Sequence, residues 1–264
     1  MSKSDRAIDF AWYRYQVKAH GPLVATQLLC REVWSRTLVS FANKALPAKL
    51  AFPCCGWTGR RFHDYIEVVR THRNAECPQC SSHPRHRALF LWISREHKLE
   101  TRHGIGLVFS YEKALAPIWQ SAKSLRLYRV DIKATRGADL LADMTRLPIA
   151  NESIELLWCH HVLEHIKDDR AAMRDLYRIL RPATGELIVS VPMEIGMVTR
   201  EYGFADNKES GHWRLYGDDF VDRLSESGFS VEPVSPQLSP EEIERYGLIR
   251  ERYYLCTRLP QTKS

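Results

Sequence analysis

Residues 139–192 read DLLADMTRLPIANESIELLWCHHVLEHIKDDRAAMRDLYRILRPATGELIVSVP. An apolar run over 154–159 lies in the middle of this stretch, and a second run over 185–191 precedes Pro192. The apolar residues that recur at helical spacing between the two runs are Ala172, Met173, Leu176, Ile179 and Leu180. A strand, a helix and a second strand form the unit from which parallel sheets are built, so this stretch predicts an α/β fold.

The same alternation extends in both directions. Strands are expected over 107–110, 127–131, 229–234 and 252–257, and helices over 114–119 and 220–224. Such a pattern over about 150 residues favours a mostly parallel sheet covered by helices on both faces. Ligands of these sheets bind beyond the carboxyl ends of the strands, which would bring Asp131 close to a bound nucleoside.

The first hundred residues follow a different pattern. Residues 8–48 are expected to be helical, because apolar side chains recur every three to five positions before Pro47. The residues of this stripe are Leu23, Val24, Leu28, Val33, Trp34, Leu38 and Phe41. Residues 51–86 are rich in Cys, Gly, Arg and His without a sustained period, so a metal or a neighbour must hold them together. Another helix is expected around 89–93.

Composition restricts the class of protein. The 264 residues are 44% hydrophobic and 27% charged, as in ordinary globular proteins. No apolar run approaches the roughly 20 residues of a membrane-spanning helix, and no secretory signal is recognisable. We therefore expect a cytoplasmic protein without a membrane partner, in which the scattered Cys30, Cys159 and Cys256 are buried thiols.

The charge is distributed unevenly. Of the net +6, residues 1–103 contribute +9 and residues 104–264 contribute −3. A basic surface attracts nucleic acid or an anionic substrate. The other interpretation is an ordinary solvated surface, part of whose charge is offset by metal-bound thiolates.

Several short motifs follow one another in residues 139–192. They are Ala142-Asp143 with Leu147-Pro148, then His161-Val162-Leu163-Glu164-His165-Ile166, and then Arg178-Ile179-Leu180-Arg181-Pro182. In type and spacing they resemble the class I S-adenosylmethionine-dependent methyltransferases. The resemblance implies a Rossmann-like, mostly parallel sheet of seven strands, S-adenosylmethionine as the cofactor, and methyl transfer to an O, N or S atom.

The resemblance also implies which residues contact the cofactor. Asp131 would accept hydrogen bonds from the ribose hydroxyls, with Ile132 beside it. Asp143 and Met144 would contact the adenine. The alternatives are a turn acid at Asp131 and a capping or loop acid at Asp143.

In the fold that the resemblance implies, two histidines end the fourth strand, and the sulfonium of the methyl donor is expected there. His160 would contact the cofactor, and His161 would act as a general base or orient the acceptor. The alternative for His161 is a scaffold role. Glu164 and His165 are expected to fix the start of the next helix.

The first strand departs from the common pattern. Most class I methyltransferases carry a glycine-rich turn after it, but residues 107–113 read LVFSYEK. This stretch is similar to a bacterial subset in which Ala-Pro-Glu replaces the glycines, with Glu112 as the retained acid. Ser110 and Glu112 are the expected cofactor contacts here, and the lost glycines support an alternative in which the protein binds without catalysing.

Residues 209–220, ESGHWRLYGDDF, resemble the same subset. Residues 193–214 are expected to form a long loop over the pocket mouth, since long loops in compact domains are usually functional. The candidates for the acceptor site are His212, Trp213, Arg214 and Tyr216. Of these, His212 and Tyr216 are the expected catalytic residues, together with His161; the alternative is a loop that packs on the sheet edge.

The cysteine-rich segment carries a second candidate site. Cys77-Pro78-Gln79-Cys80 has the spacing with which two thiolates bind one zinc ion. We expect a structural zinc bound by Cys54, Cys55, Cys77 and Cys80. Other candidates for the fourth ligand are His63, His72, His83 and His86. The alternative is a metal-free loop.

The expected organisation is a helical segment over 1–50, a cysteine or zinc module over 51–100, and a methyltransferase domain over 101–264. Our first choice of acceptor is a small molecule. The alternatives are a nucleic-acid methyltransferase that grips RNA with the basic cysteine module, and a methyltransferase-like protein that no longer catalyses.

Overall fold

The computed structural model describes residues 10–52, 54–66, 71–134, 137–206, 211–249 and 251–258. Its contacts divide the chain into two compact units. The N-terminal unit comprises Met1–Lys98, Lys113–Ile118 and Pro236–Glu251, and the sheet unit comprises Leu99–Glu112, Trp119–Ser235 and Arg252–Ser264. The domain boundaries expected at 50 and 100 stay predictions.

The N-terminal unit begins with two helices where the sequence predicts one continuous helical stretch. Helix α1 spans Phe10–His20 and helix α2 spans Pro22–Ala45. Gly21 separates them with a φ of 84°, a left-handed conformation that interrupts a right-handed helix. Pro22 then begins α2, since its missing N–H needs no partner in a first turn.

The apolar stripe expected on α2 is largely exposed, which corrects that prediction. Trp34 keeps 67% of its surface exposed, and Leu23 and Phe41 are exposed as well. The face that packs carries Glu32, which is buried and accepts a hydrogen bond from Arg36 at 3.2 Å. Arg36 also donates to Glu76 at 3.1 Å. Ion pairing at these positions therefore decides which face of α2 turns inward.

Two small hairpins and a helix follow in the N-terminal unit. Strands β1 (Leu50–Ala51) and β2 (Thr58–Gly59) are antiparallel, as are β3 (His63–Ile66) and β4 (Thr71–Glu76). Helix α3 spans Pro84–Arg95, which confirms the helix expected around 89–93. The side chain of Arg87 is fully buried and donates to the carbonyls of Ala75 and Ser82 at 2.9 and 2.8 Å.

The remaining strands and helices follow in the order of the chain. They are β5 (Gly104–Phe109), α4 (Ala116–Ser121), β6 (Leu125–Asp131), β7 (Leu140–Leu141), β8 (Leu156–His160), α5 (Asp169–Ile179), β9 (Glu186–Ser190), β10 (Arg200–Asp206), β11 (His212–Leu215), α6 (Phe220–Glu226), β12 (Ser230–Val234), α7 (Pro240–Tyr246) and β13 (Tyr253–Thr257).

Seven of these strands form one sheet in the order β12-β13-β9-β8-β5-β6-β7. Strands β5 to β9 are parallel to their neighbours within that group, and β13 is antiparallel to both β9 and β12. Strands β8 and β9 are buried along their whole length, because a central parallel strand has neighbours on both faces. The mostly parallel seven-stranded sheet is confirmed.

The long loop expected over 193–214 is largely a hairpin, which corrects that prediction. Strands β10 and β11 pair in antiparallel fashion outside the main sheet. Residues 207–210, which connect them, lie outside the described residues. Acceptor-site candidates His212 and Arg214 are thus held on a strand.

The exposure of the scattered cysteines and the length of the helices test two further expectations. Cys159 and Cys256 are buried as expected, whereas Cys30 is exposed on α2. Over the residues that the structure describes, no helix combines the length and the apolar character needed to cross a membrane.

Candidate active site

The carboxyl ends of β5, β6, β7 and β8 lie at one edge of the sheet, because these strands are parallel. The chain proceeds outward from β5 to β7 and then returns to β8 on the other side of β5. This reversal is the switch point at which open α/β sheets bind ligands. Phe109 pairs in register with Val130 and Cys159, so Ser110, Asp131 and His160 follow at the same level.

Ser110 adopts the backbone conformation that a glycine turn would use. Its φ is 50°, and its N–H donates to the carbonyl of Val130 at 3.1 Å. A left-handed conformation costs an L-residue roughly 1–2 kcal/mol. The turn after β5 therefore keeps its shape without the usual glycine, at the expense of local backbone strain.

This strain predicts an asymmetric response to substitution at Ser110. We expect Ser110→Gly to be more stable than Ser110→Val by at least about 2 kcal/mol, because a β-branched residue tolerates positive φ poorly. Urea unfolding of both variants measures the difference. The same pair at Ser230, the exposed first residue of β12, is the matched control. There valine should equal or exceed glycine, as usual for a strand; equal stabilities at Ser110 would contradict the left-handed turn.

Asp131 is the last residue of β6 and lies at the switch point of the sheet. Its Oδ1 accepts a hydrogen bond from the N–H of Lys133 at 3.0 Å, which orients the carboxylate. Its Oδ2 accepts no hydrogen bond from the described residues. The adjacent Ile132 side chain is 67% exposed. A free carboxylate oxygen beside an uncovered apolar side chain suits a nucleoside, which offers hydroxyls and an apolar base face.

The expected adenine contacts lie next to β7. The Asp143 carboxylate accepts hydrogen bonds from the N–H and Oγ1 of Thr145 at 2.9 and 2.8 Å. These bonds, the backbone one first, lower the pKa of Asp143. Met144 is almost fully buried within the core of the sheet unit. Asp143 thus orders its own loop through Oδ1, and both residues stay predicted adenine contacts.

The two histidines at the end of β8, His160 within the strand and His161 after it, have different surroundings. His160 is buried, with Nδ1 at hydrogen-bond distance from the Ser190 hydroxyl and Nε2 3.8 Å from the Glu112 carboxylate. His161 is half-buried in a left-handed conformation, and its N–H donates to the Ser190 carbonyl at 2.9 Å. Ser190 therefore supports both histidines, a role that its place at the end of an apolar strand does not reveal in sequence.

Glu164 is a buried carboxylate that the sequence presents only as part of a helix start. It lies in a short 3-10 helix, Leu163–His165, with Oε1 3.4 Å from Nδ1 of His161. Burial raises the pKa of Glu164, but the interaction with His161 and the charge of nearby His165 outweigh it and lower that pKa. The His165 and His212 rings form an edge-to-face contact, with their centroids 4.7 Å apart.

Tyr216, an expected acceptor-site residue, lies in the core of the sheet unit. Its side chain is fully buried, and its hydroxyl donates to Asp169 at 2.8 Å. Asp169 also accepts from Arg223 at 3.1 Å. Burial, followed by the Asp169 charge, raises the pKa of Tyr216 well above its usual range. These contacts give Tyr216 a role in packing, and its assignment to the acceptor site stays a prediction.

The structure brings three of the four expected zinc ligands together. The sulfurs of Cys55, Cys77 and Cys80 lie within 4.8 Å of one another, and those of Cys55 and Cys77 are 3.8 Å apart. Cys54 lies outside this group; burial, with Cys80 and Cys77 nearby, raises its pKa to about 12. None of the four candidate histidines joins the group among the described residues. Three thiol sulfurs in one cluster fit a zinc ion.

One family model matches the chain. Residues 114–189 match the model described as a methyltransferase domain, a span that contains Asp131, Asp143 and both histidines at the end of β8. No protein in the curated set matches.

Solved structures of low identity are also similar to the chain. A chain of the Haloferax volcanii complex between the Trm112 methyltransferase activator and a methyltransferase is 14% identical, with a TM-score of 0.46, over 66% of this chain and 91% of that one. The Bacillus YcgJ protein is 13% identical, with a TM-score of 0.45, over 66% of this chain and all of that one.

The third is the Haemonchus contortus phosphoethanolamine N-methyltransferase 2. It is 12% identical, with a TM-score of 0.46, over 66% of this chain and 52% of that one. At these scores the neighbours carry no argument of their own. The chain is thus similar to the methyltransferase-domain family over residues 114–189, and these residues contribute to its mostly parallel seven-stranded sheet.

Proposed function

We propose that the protein transfers a methyl group from S-adenosylmethionine to an O, N or S atom of a small-molecule acceptor. One observation carries the proposal. Asp131 ends β6 beside the switch point with one carboxylate oxygen unused by the described residues, inside the segment that matches the methyltransferase model. An acid at this strand end is suited to two ribose hydroxyls.

The chain's own residues would bind and align the reactants. Asp131 and Ile132 would hold the nucleoside, with Ser110 and Glu112 after β5 and Asp143 and Met144 after β7 as further contacts. S-adenosylmethionine supplies an activated methyl group, which a nucleophile attacks opposite the sulfur that leaves. Most of the acceleration would then come from positioning the two reactants.

His161 is the residue we propose to act on the acceptor. Its Nδ1 faces the Glu164 carboxylate at 3.4 Å, an electrostatic contact that favours this orientation of the ring. The other ring nitrogen would orient the acceptor or accept its proton, since imidazole titrates near neutral pH. His212 is a second residue that we propose to contact the acceptor.

Charge supports a small acceptor over a nucleic acid. Residues 104–264, which include the candidate site, carry a net charge of −3. A polyanion is attracted by positive surfaces, and its binding weakens steeply as salt rises.

Calorimetric titration with S-adenosylmethionine and S-adenosylhomocysteine tests the proposal. We expect one binding site per chain, and methyl transfer from labelled donor to a member of a small-molecule panel. Any RNA affinity should be weak at physiological salt and indifferent to sequence. Tight, sequence-selective RNA binding would favour a nucleic-acid acceptor. The absence of cofactor binding would favour the non-catalytic alternative.

A further inference from the structure

Glu164 is the least compensated charged side chain of the candidate site. It is 1% exposed, and neither of its oxygens accepts a well-formed hydrogen bond from the described residues. The His161 ring nitrogen, at 3.4 Å from Oε1, is long for such a bond. A buried carboxylate is costly unless a cation or hydrogen-bond donors compensate it. The surroundings of Glu164 must therefore provide positive charge.

Two imidazoles meet this carboxylate. One ligand atom from each of Glu164, His165 and His212 lies within 4.8 Å of the other two. Glu164 is buried, His212 is half-buried, and His165 is exposed. A carboxylate oxygen and two imidazole nitrogens are the donor set that binds divalent transition metals and leaves further coordination positions open.

The three side chains come from two elements that are firmly joined. Glu164 and His165 are neighbours in the 3-10 helix, whereas His212 begins β11. Arg214 is buried and donates to the carbonyls of Ile166 and Lys167 at 2.6 and 2.7 Å. Residues two apart on a strand face the same side, so this clamp also holds His212 over the helix.

We propose that Glu164, His165 and His212 form a binding site for one divalent metal ion. The three ligand atoms must approach to about 3 Å from one another around an ion with bonds near 2.1 Å. Rotation of the exposed His165 ring and the half-buried His212 ring provides this closure, while Glu164 stays fixed by burial. The His161 contact holds Oε1, so Oε2 is the oxygen available to the ion.

The site lies beside the proposed acceptor residue His161. This step rests on the proposed function: the open coordination positions would bind an oxygen of the acceptor, such as that of a hydroxyl or a carboxylate. A metal ion binds such an oxygen and stabilises the charge on it. The site therefore favours oxygen over sulfur as the methylated atom.

Titration of the full chain with Mn²⁺, followed by electron paramagnetic resonance, tests the proposal. Mn²⁺ prefers oxygen and imidazole ligands to thiolates, and a single equivalent of zinc added beforehand occupies the cysteine thiolates, which bind zinc more tightly than the carboxylate and two imidazoles do. We expect one Mn²⁺ per wild-type chain. His165→Ala, His212→Ala and Glu164→Gln should each weaken it at least tenfold. His103→Ala, an exposed histidine of the sheet unit, is the matched control and should bind as wild type.

Two results would overturn the site: no stoichiometric Mn²⁺ binding, or binding that His165→Ala leaves unchanged. His165 is exposed, so this variant should fold even if Glu164→Gln does not. Calorimetric binding of S-adenosylmethionine to the same samples separates the two proposals. Cofactor binding without Mn²⁺ binding defeats only the metal site, and Mn²⁺ binding without cofactor binding defeats only the proposed function.

Discussion

Replacing Cys77 and Cys80 together by serine is expected to leave the purified protein without zinc and to destabilise its N-terminal unit. The variant removes two of the three sulfurs that the structure gathers within 4.8 Å. Structural zinc sites in small finger peptides bind with about 10–16 kcal/mol, and this free energy is coupled to folding. Whole domains are stable by only about 5–15 kcal/mol, so the loss should be large.

Elemental analysis and thermal melts measure the two effects. Cys30→Ser is the matched control, because Cys30 is exposed on α2 and should leave one zinc per chain. Cys54→Ser tests the fourth ligand directly. Retention of zinc in that variant would agree with the position of Cys54 outside the cluster. Wild-type protein that contains well under one equivalent of zinc, without exposure to a chelator, would refute the zinc site.

Asp131→Ala is expected to weaken S-adenosylmethionine binding about ten- to a hundredfold. A hydrogen bond to a charged group contributes roughly 1.5–3 kcal/mol, and each 1.4 kcal/mol corresponds to a tenfold change in affinity. The Asp131 carboxylate is oriented by Lys133 and otherwise uncommitted among the described residues, so its loss should leave the fold intact. Asp143→Ala should have a smaller effect, because its expected contact is one neutral adenine amine rather than two ribose hydroxyls.

Calorimetry of the variants, with thermal melts beside it, measures these effects. Asp222→Ala removes an exposed acid from the first turn of α6 and should bind as wild type. Unchanged affinity in Asp131→Ala would mean that the ribose is bound elsewhere.

The strands of the main sheet are predictable because their signal is local. A buried parallel strand is a continuous apolar run, and the run 154–159 differs from β8 (Leu156–His160) by one or two residues at each end. The acid at the end of β6 follows from the same argument. The position of Asp131 at a strand end is therefore predictable from sequence, and its role in cofactor binding stays a prediction.

The other features of the fold and of the candidate site depend on contacts between residues that are distant in sequence. His165 and His212 are far apart in sequence, and only the clamp from Arg214 to the carbonyls of residues 166 and 167 brings them together. The hairpin of β10 and β11 has polar strands without clear alternation. The hydrogen bond from the Tyr216 hydroxyl to buried Asp169 likewise joins residues that are 47 positions apart. On α2, buried Glu32 reverses the face that its aromatic residues suggest.

The interleaved path of the chain has a consequence for how this protein evolves. The chain passes from one unit to the other five times, and the last segment of the N-terminal unit returns as late as Pro236–Glu251. In that segment the Gly247 carbonyl accepts from Arg87 at 2.7 Å, and Glu242 pairs with Arg95 at 2.8 Å. A gene fusion or recombination event with one breakpoint near residue 100 would separate these partners. The N-terminal unit is therefore expected to lose these two contacts in a chimera joined near residue 100, unlike a module whose residues all lie on one side of the junction.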